Sequence, residues 1–171
     1  MSIKIPNPVA LTQDLIRFNT INPPGNEDEI CGFLEELLLS AGFECKSVDF
    51  APRRRSLIAR IVGERGGPNI CFTGHVDVVP LGGRSWQYDP FSAQIHDGKL
   101  YGRGSSDMKS GVASMVVAAM KTASQAKAGH GISLIITAGE ETGCEGAFHL
   151  IAQKEVIDYI GTAGCFVVAE P

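Results

Sequence analysis

The stretch that decides the fold is "ICFTGHVDVVP", residues 70–80, an apolar run that leads into a histidine and an aspartate. A short continuous run of this kind, bounded by turn residues, suits a strand buried on both faces of a parallel sheet. Just upstream, "ERGGPN" turns the chain into it. Two other runs share its character, "ISLIITA" at 132–138 and "CFVV" at 165–168. Between the first two lies "SGVASMVVAAMKTASQ", read as a helix of small and apolar residues ended by Gly129, and after the second comes the helical "CEGAFHLIAQK". Farther upstream, "NEDEICGFLEELLLSAG" places apolar residues at 30, 33, 34, 37 and 38 behind an acidic first turn. That spacing predicts an amphipathic helix capped at Asn26 and stopped at Gly42. "FECKSVDF" and "SLIARIVG" alternate as strands, and "AQIHDGKLYGRG" reads as a hairpin around Asp97 and Gly98. Strands alternating with helices predict an α/β protein, a three-layer αβα sandwich with a mixed, largely parallel central sheet, in which "CFVVAEP" is a third buried strand.

Composition narrows the function classes. A chain of 171 residues with 44% hydrophobic and 20% charged residues has enough apolar material for one ordinary domain with its own core. A net charge of -4 offers no basic surface for nucleic acid, and "PRRRS" at 52–56 reads as a solvated turn. No apolar run approaches a membrane span, and the first residues lack a leader pattern, so the expectation is a cytoplasmic protein that does not engage membranes. Cys31, Cys45, Cys71, Cys144 and Cys165 are widely spaced with no CxxC pair, and read as reduced core thiols.

Potential ligands fall where the apolar runs end. "ICFTG" leads into His75 and Asp77, "ISLIITA" into Glu140 and Glu141, and "CFVV" into Glu170, while Asp107 lies in the glycine-rich "GRGSSDMKSG" that opens a helix. Open α/β sheets bind ligands beyond the carboxyl ends of their strands. Five carboxylates gathered there would repel one another unless protonated or bridged by cations. One imidazole among many oxygen donors suits zinc, or cobalt and manganese by similar ligand preference. In His75-x-Asp77 the two side chains point the same way, so the Asp77 carboxylate can fix the histidine's tautomer. The Glu140–Glu141 pair suits a division of labour, one oxygen donor on a metal and one group left to move protons for a water.

Each piece alone has a plainer reading. A lone HxD is mostly accident, and a Glu-Glu pair is usually the acidic first turn of a helix. "GRGSSDMKSG" lacks the spacing of the phosphate-cradling motifs. His96, His130 and His149 read as surface or packing residues. The order and the strand-end placement of the pieces together favour a site.

Taken together, "TGHVDVVP", "WQYDPFSAQIHDGKLYGRGSSDMKSG", "TAGEETGCEG" and "VVAEP" resemble the consecutive blocks of the dinuclear zinc aminoacylase and carboxypeptidase family, of the deacetylase and desuccinylase kind. The resemblance implies that His75 and Glu170 bind one zinc, that Asp107 bridges to a second, and that Glu141 binds the second. It implies Asp77 as the residue that orients His75, Glu140 as general base, and a cis peptide at Asp107–Met108. The implied reaction is hydrolysis of an N-acyl amino acid or short peptide by an activated water. Family members continue past the Glu-Pro block through a lid and dimerisation domain and a returning catalytic segment. The chain is therefore expected to be the N-terminal segment of the catalytic domain, residues 1–171, of a parent that is a homodimer. The competing expectation is a catalytically incompetent α/β module that binds metal weakly or serves only in association.

Overall fold

The computed structural model describes residues 4–171; residues 1–3, which belong to the 1–171 segment and to the leader reading, lie outside the described residues. The chain forms α1 (Pro8–Arg17), α2 (Asp28–Ser40), β1 (Glu44–Ala51), β2 (Arg54–Val62), β3 (Asn69–His75), β4 (Ile95–His96), β5 (Lys99–Leu100), α3 (Lys109–Lys121), α4 (Ala123–Ala128), β6 (Gly131–Thr137), α5 (Glu145–Ile151), α6 (Lys154–Ile160) and β7 (Ala163–Val168). The main sheet has the order β1-β2-β6-β3-β7. β6, β3 and β7 are mutually parallel, while β2 is antiparallel to both β1 and β6. All strands but β2 therefore run in one direction, the mixed, largely parallel sheet that the alternation predicts.

The two faces of the sheet bury different residues of the same strands, as the two-residue period of a strand requires. Leu57, Ala59, Ile61, Ile132, Leu134 and Ile136 join Leu34 and Leu38 of α2 and Val112 and Val116 of α3 in the larger core. On the other face Val48 and Ile58 meet Leu150 of α5 and Val156 and Ile160 of α6 in a smaller one. The result is three layers, helices on each side of one sheet. The small hairpin β4–β5 turns at Asp97 and Gly98, both with positive φ (49° and 72°), as an Asp-Gly hairpin turn requires.

Four local expectations are corrected. The cap of α2 is Glu27, with no side-chain cap bond, in place of Asn26; the Glu27 and Asp28 N–H groups instead donate to the Arg53 carbonyl at 2.9 and 3.2 Å, which takes one of the donors that Asn26 would cap. "PRRRS" is no solvated turn throughout, because Arg54 opens β2 and its side chain, 11% exposed, donates from Nε to the fully buried Glu27 at 2.8 Å. β7 is exposed: it pairs with β3 alone, and Phe166, Val167 and Val168 are 61%, 40% and 54% exposed. An apolar run records what a strand could bury, not whether a neighbour covers it. Finally, all five cysteines are free, but only Cys31 and Cys71 are buried and Cys165 is exposed on β7. No helix among the described residues is long and apolar enough to cross a membrane.

Candidate metal centre

The parallel register sets His75 opposite Thr137, so β3 and β6 end together and their following loops share one rim of the sheet. Val168, near the end of β7, pairs with Thr73, which brings Glu170 to the same rim. The glycine-rich turn before α3 delivers Asp107, joined to Met108 by a cis peptide as the resemblance implies.

His75 is nearly fully buried, 2% exposed, and both ring nitrogens are committed. Nδ1 lies 2.9 Å from the Asp77 backbone carbonyl. A carbonyl only accepts, so Nδ1 carries a hydrogen, and Nε2 is the nitrogen that faces the carboxylates and would offer its lone pair to a cation once deprotonated. Around Nε2 stand Asp107 Oδ1 at 3.1 Å, Glu170 Oε1 at 3.4 Å and Glu140 Oε2 at 3.7 Å. Ligand atoms of His75, Asp107 and Glu141 all lie within 4.8 Å of one another. The six residues singled out in the sequence thus meet in one cluster.

Asp77 meets Nδ1 of His75 through its backbone carbonyl and its carboxylate, and it also reaches beyond His75. Its carboxylate sits 3.4 Å from His75 Nδ1, farther than its own backbone carbonyl. The carboxylate oxygens also accept from the backbone N–H of Glu140 and of Glu141, each at 3.1 Å, and from Asn22 Nδ2 at 2.8 Å. Asp77 therefore ties the Glu140–Glu141 loop to the end of β3 while its main chain sets the His75 tautomer. Burial opposes its ionisation, but the bonds from His75, Asn22 and Glu140 outweigh it and hold the carboxyl below its ordinary range.

Electrostatics supply the test of whether a cation fits. Burial alone would pull the imidazole of His75 down; the hydrogen bond and charge of Asp77, then the charge of Glu170, push it up to about 9. Glu141 is raised by burial and then by Asp107, and Glu170 by burial and by Asp107 and Glu140, with His75 opposing in both. Among the described residues none of Asp107, Glu140, Glu141 and Glu170 is paired with a lysine or arginine. Carboxylates this crowded, with one imidazole as their cationic neighbour, form a donor set that a divalent cation would satisfy.

Two supporting residues were not legible in advance. Asn22, 2% exposed, also donates to Thr142 Oγ1 at 2.9 Å. Lys109 is fully buried and donates from Nζ to the Phe18 carbonyl at 2.8 Å; burial lowers its pKa to about 7 against the opposing charge of Asp77. Lys109 lies inside the quoted "DMKSG" block, but a lone lysine on a helix start reads as solvated. His96 stacks on Tyr88 at 4.1 Å and His130 meets the Gly66 carbonyl at 2.7 Å, the packing roles expected of them.

An αβα sandwich that gathers one imidazole and several unpaired carboxylates at the carboxyl edge of its sheet defines a class of α/β protein built around a metal site. Residues 71–170 match peptidase family M20/M25/M40, and the chain belongs to that family. It is 41% identical over 138 residues to a succinyl-diaminopimelate desuccinylase of Wolbachia pipientis subsp. Culex pipiens, covering 80% of this chain and 34% of that protein. It is 40% identical over 169 residues to succinyl-diaminopimelate desuccinylase 2 of Ruegeria sp. strain TM1040, covering 96% of this chain and 41% of that protein. Among solved structures, an M20 family metallo-carboxypeptidase of Sulfolobus solfataricus superimposes with a TM-score of 0.81 at 20% identity over 96% of this chain and 37% of that one, which shows the shared fold. The chain spans 34% and 41% of the length of the two curated relatives.

Proposed function

We propose that residues 1–171 are the N-terminal segment of the catalytic domain of a zinc-dependent hydrolase that cleaves the amide bond of an N-acyl amino acid, N-succinyl-diaminopimelate before others. The observation that carries this reading is the convergence of His75, Asp107, Glu141 and Glu170 on one point. The names of the two curated relatives support the succinyl substrate. His75 and Glu170 would hold one zinc, Glu141 the second, and Asp107 both. Bound there, zinc would supply polarisation of the scissile carbonyl and a more acidic water. Asp77 keeps Nδ1 of His75 protonated and anchors the loop that carries Glu140. Glu140, 40% exposed and 3.7 Å from His75 Nε2, takes the proton of the attacking water and returns it to the departing amine. The C–N bond breaks, leaving a free carboxylate and a free amine. The same reading carries a cytoplasmic location and a homodimeric parent.

One observation favours a second reading. With His75 and Glu170 assigned to the first ion, only Asp107 and Glu141 of the six remain for the second, too few for a closed site. On that reading the chain by itself binds metal weakly and hydrolyses nothing.

Comparing wild type with Glu140→Gln decides between them. Hydrolysis of N-succinyl-diaminopimelate by zinc-loaded protein should fall about 10²-fold to 10⁴-fold in kcat while zinc content stays the same. An undiminished kcat removes Glu140 from the role of base, and equal zinc content with no turnover by either protein favours the second reading.

A further inference from the structure

Beside the cluster opens a cavity of about 310 Å³ whose wall includes Trp86, Tyr101, Arg103, Ser105, Ser106 and, at the metal centre, Asp107. Arg103 is held from two sides. Its Nη2 donates to the Pro80 carbonyl at 3.0 Å, and its guanidinium lies over the Trp86 indole, 5.1 Å from the ring centroid. Its Nε is buried without a hydrogen-bond partner. Arg17, Arg53, Arg54, Arg55 and Arg60 all pair with carboxylates, whereas Arg65, Arg84 and Arg103 pair with none among the described residues, and of these three Arg103 shares a cavity with Asp107 of the acidic cluster.

A guanidinium fixed in plane by an indole face, with donors left over, is pre-organised for a planar anion. Ser105 and Ser106 line the same wall. We propose that this cavity is the subsite for a carboxylate at the far end of the substrate's acyl group, with Arg103 as the residue that selects it. The inference rests on the hydrolase reading for its choice of substrate half. The diaminopimelate half carries a free ammonium that Arg103 repels beside its far carboxylate, while a short dicarboxylic half-amide presents to this wall only a carboxylate. The N-succinyl substrate of that reading sets a two-carbon spacer between this carboxylate and the amide.

The chain's single tryptophan is in the wall, so binding can be read without chemistry. The experiment follows the indole N–H resonance of Trp86 in metal-free protein at about 0.15 M salt, where distant charges are screened, while succinamate or its neutral analogue succinamide is added. A saturable shift with succinamate, none with succinamide, and at least tenfold weaker binding by Arg103→Met is the expected result. Arg103→Lys, which keeps the charge and loses the planar fork, should bind at least threefold more weakly and guards against a misfolded methionine variant. Equal shifts by the two probes, no saturable shift, or wild-type affinity in either variant overturns the proposal. Hydrolysis takes no part in this readout: a protein that passes it yet never cleaves N-succinyl substrates loses the hydrolase reading and keeps the subsite, and an active hydrolase that fails it loses only the subsite.

Discussion

Asn22 and Asp77, 55 residues apart in the chain, are joined by a 2.8 Å hydrogen bond between two buried side chains. The same amide reaches Thr142 at 2.9 Å, so one residue of the loop after α1 braces two of the segments that carry ligands of the metal centre. Removing one donor from a buried carboxylate costs about 1–3 kcal/mol. Loss of a residue that orients metal ligands typically weakens metal binding about 10-fold to 100-fold. Asn22→Ala is predicted to show both effects, in urea unfolding and in a zinc titration, and unchanged zinc affinity would reduce Asn22 to a structural residue.

The pair Glu27–Arg54 gives a pH-dependent prediction. Breaking a buried pair by removing one partner costs about 3–5 kcal/mol, because the other charge is stranded. Burial raises Glu27 above its ordinary 4.5, with the hydrogen bond and charge of Arg54 opposing. A carboxyl whose folded pKa lies above its unfolded one contributes its stability in full below the unfolded value and loses it as pH rises through the folded value. Arg54→Met pushes the folded value higher still. Its penalty in urea unfolding should be greatest at neutral pH and shrink on acidification toward 4.5; a pH-independent penalty would show that Glu27 does not titrate with folding.

Two glycines in helices should respond oppositely to alanine. A Cβ at Gly111 in α3 would stand 2.5 Å from the Ala169 carbonyl oxygen and 2.9 Å from its Cβ, which forces α3 away from the segment that carries Glu170. Overpacking of this kind costs about 1–3 kcal/mol, and Gly111→Ala is predicted to lose both stability and zinc affinity. Gly32 in α2 has nothing within 4 Å of such a Cβ. Gly32→Ala should stabilise by about 0.5–1 kcal/mol in thermal or urea unfolding, with zinc binding unchanged.

Much of this was legible in the sequence where the signal is local. The period of α2, the apolar runs of β3 and β6 and the Asp97–Gly98 turn each reflect forces acting within a few residues. The meeting of His75, Asp107, Glu140, Glu141 and Glu170 was legible because strands that run in parallel must end on the same side. What was not legible depends on partners distant in sequence. Arg54 reads as one of three solvated arginines until its buried partner Glu27 is in view, and Asn22 gives no local sign of its partners Asp77 and Thr142. The apolar "CFVV" carries the same signal whether or not another element covers it, and here Phe166 stands 61% exposed. α1, capped by Asn7, whose Oδ1 accepts from the N–H groups of Val9 and Ala10 at 2.8 and 3.4 Å, lies in a stretch whose short apolar pattern carries only a weak helical signal.

A divalent cation is required to balance the carboxylates at the rim of the sheet. Anomalous diffraction at the zinc edge, from crystals of this chain grown with zinc, tests that most directly. The predicted result is a peak about 2.0–2.2 Å from His75 Nε2 and from a carboxylate oxygen of Asp107, with Glu141 or Glu170 completing the coordination. A rim without anomalous signal, or zinc found only at His96, His130 or His149, would contradict the account.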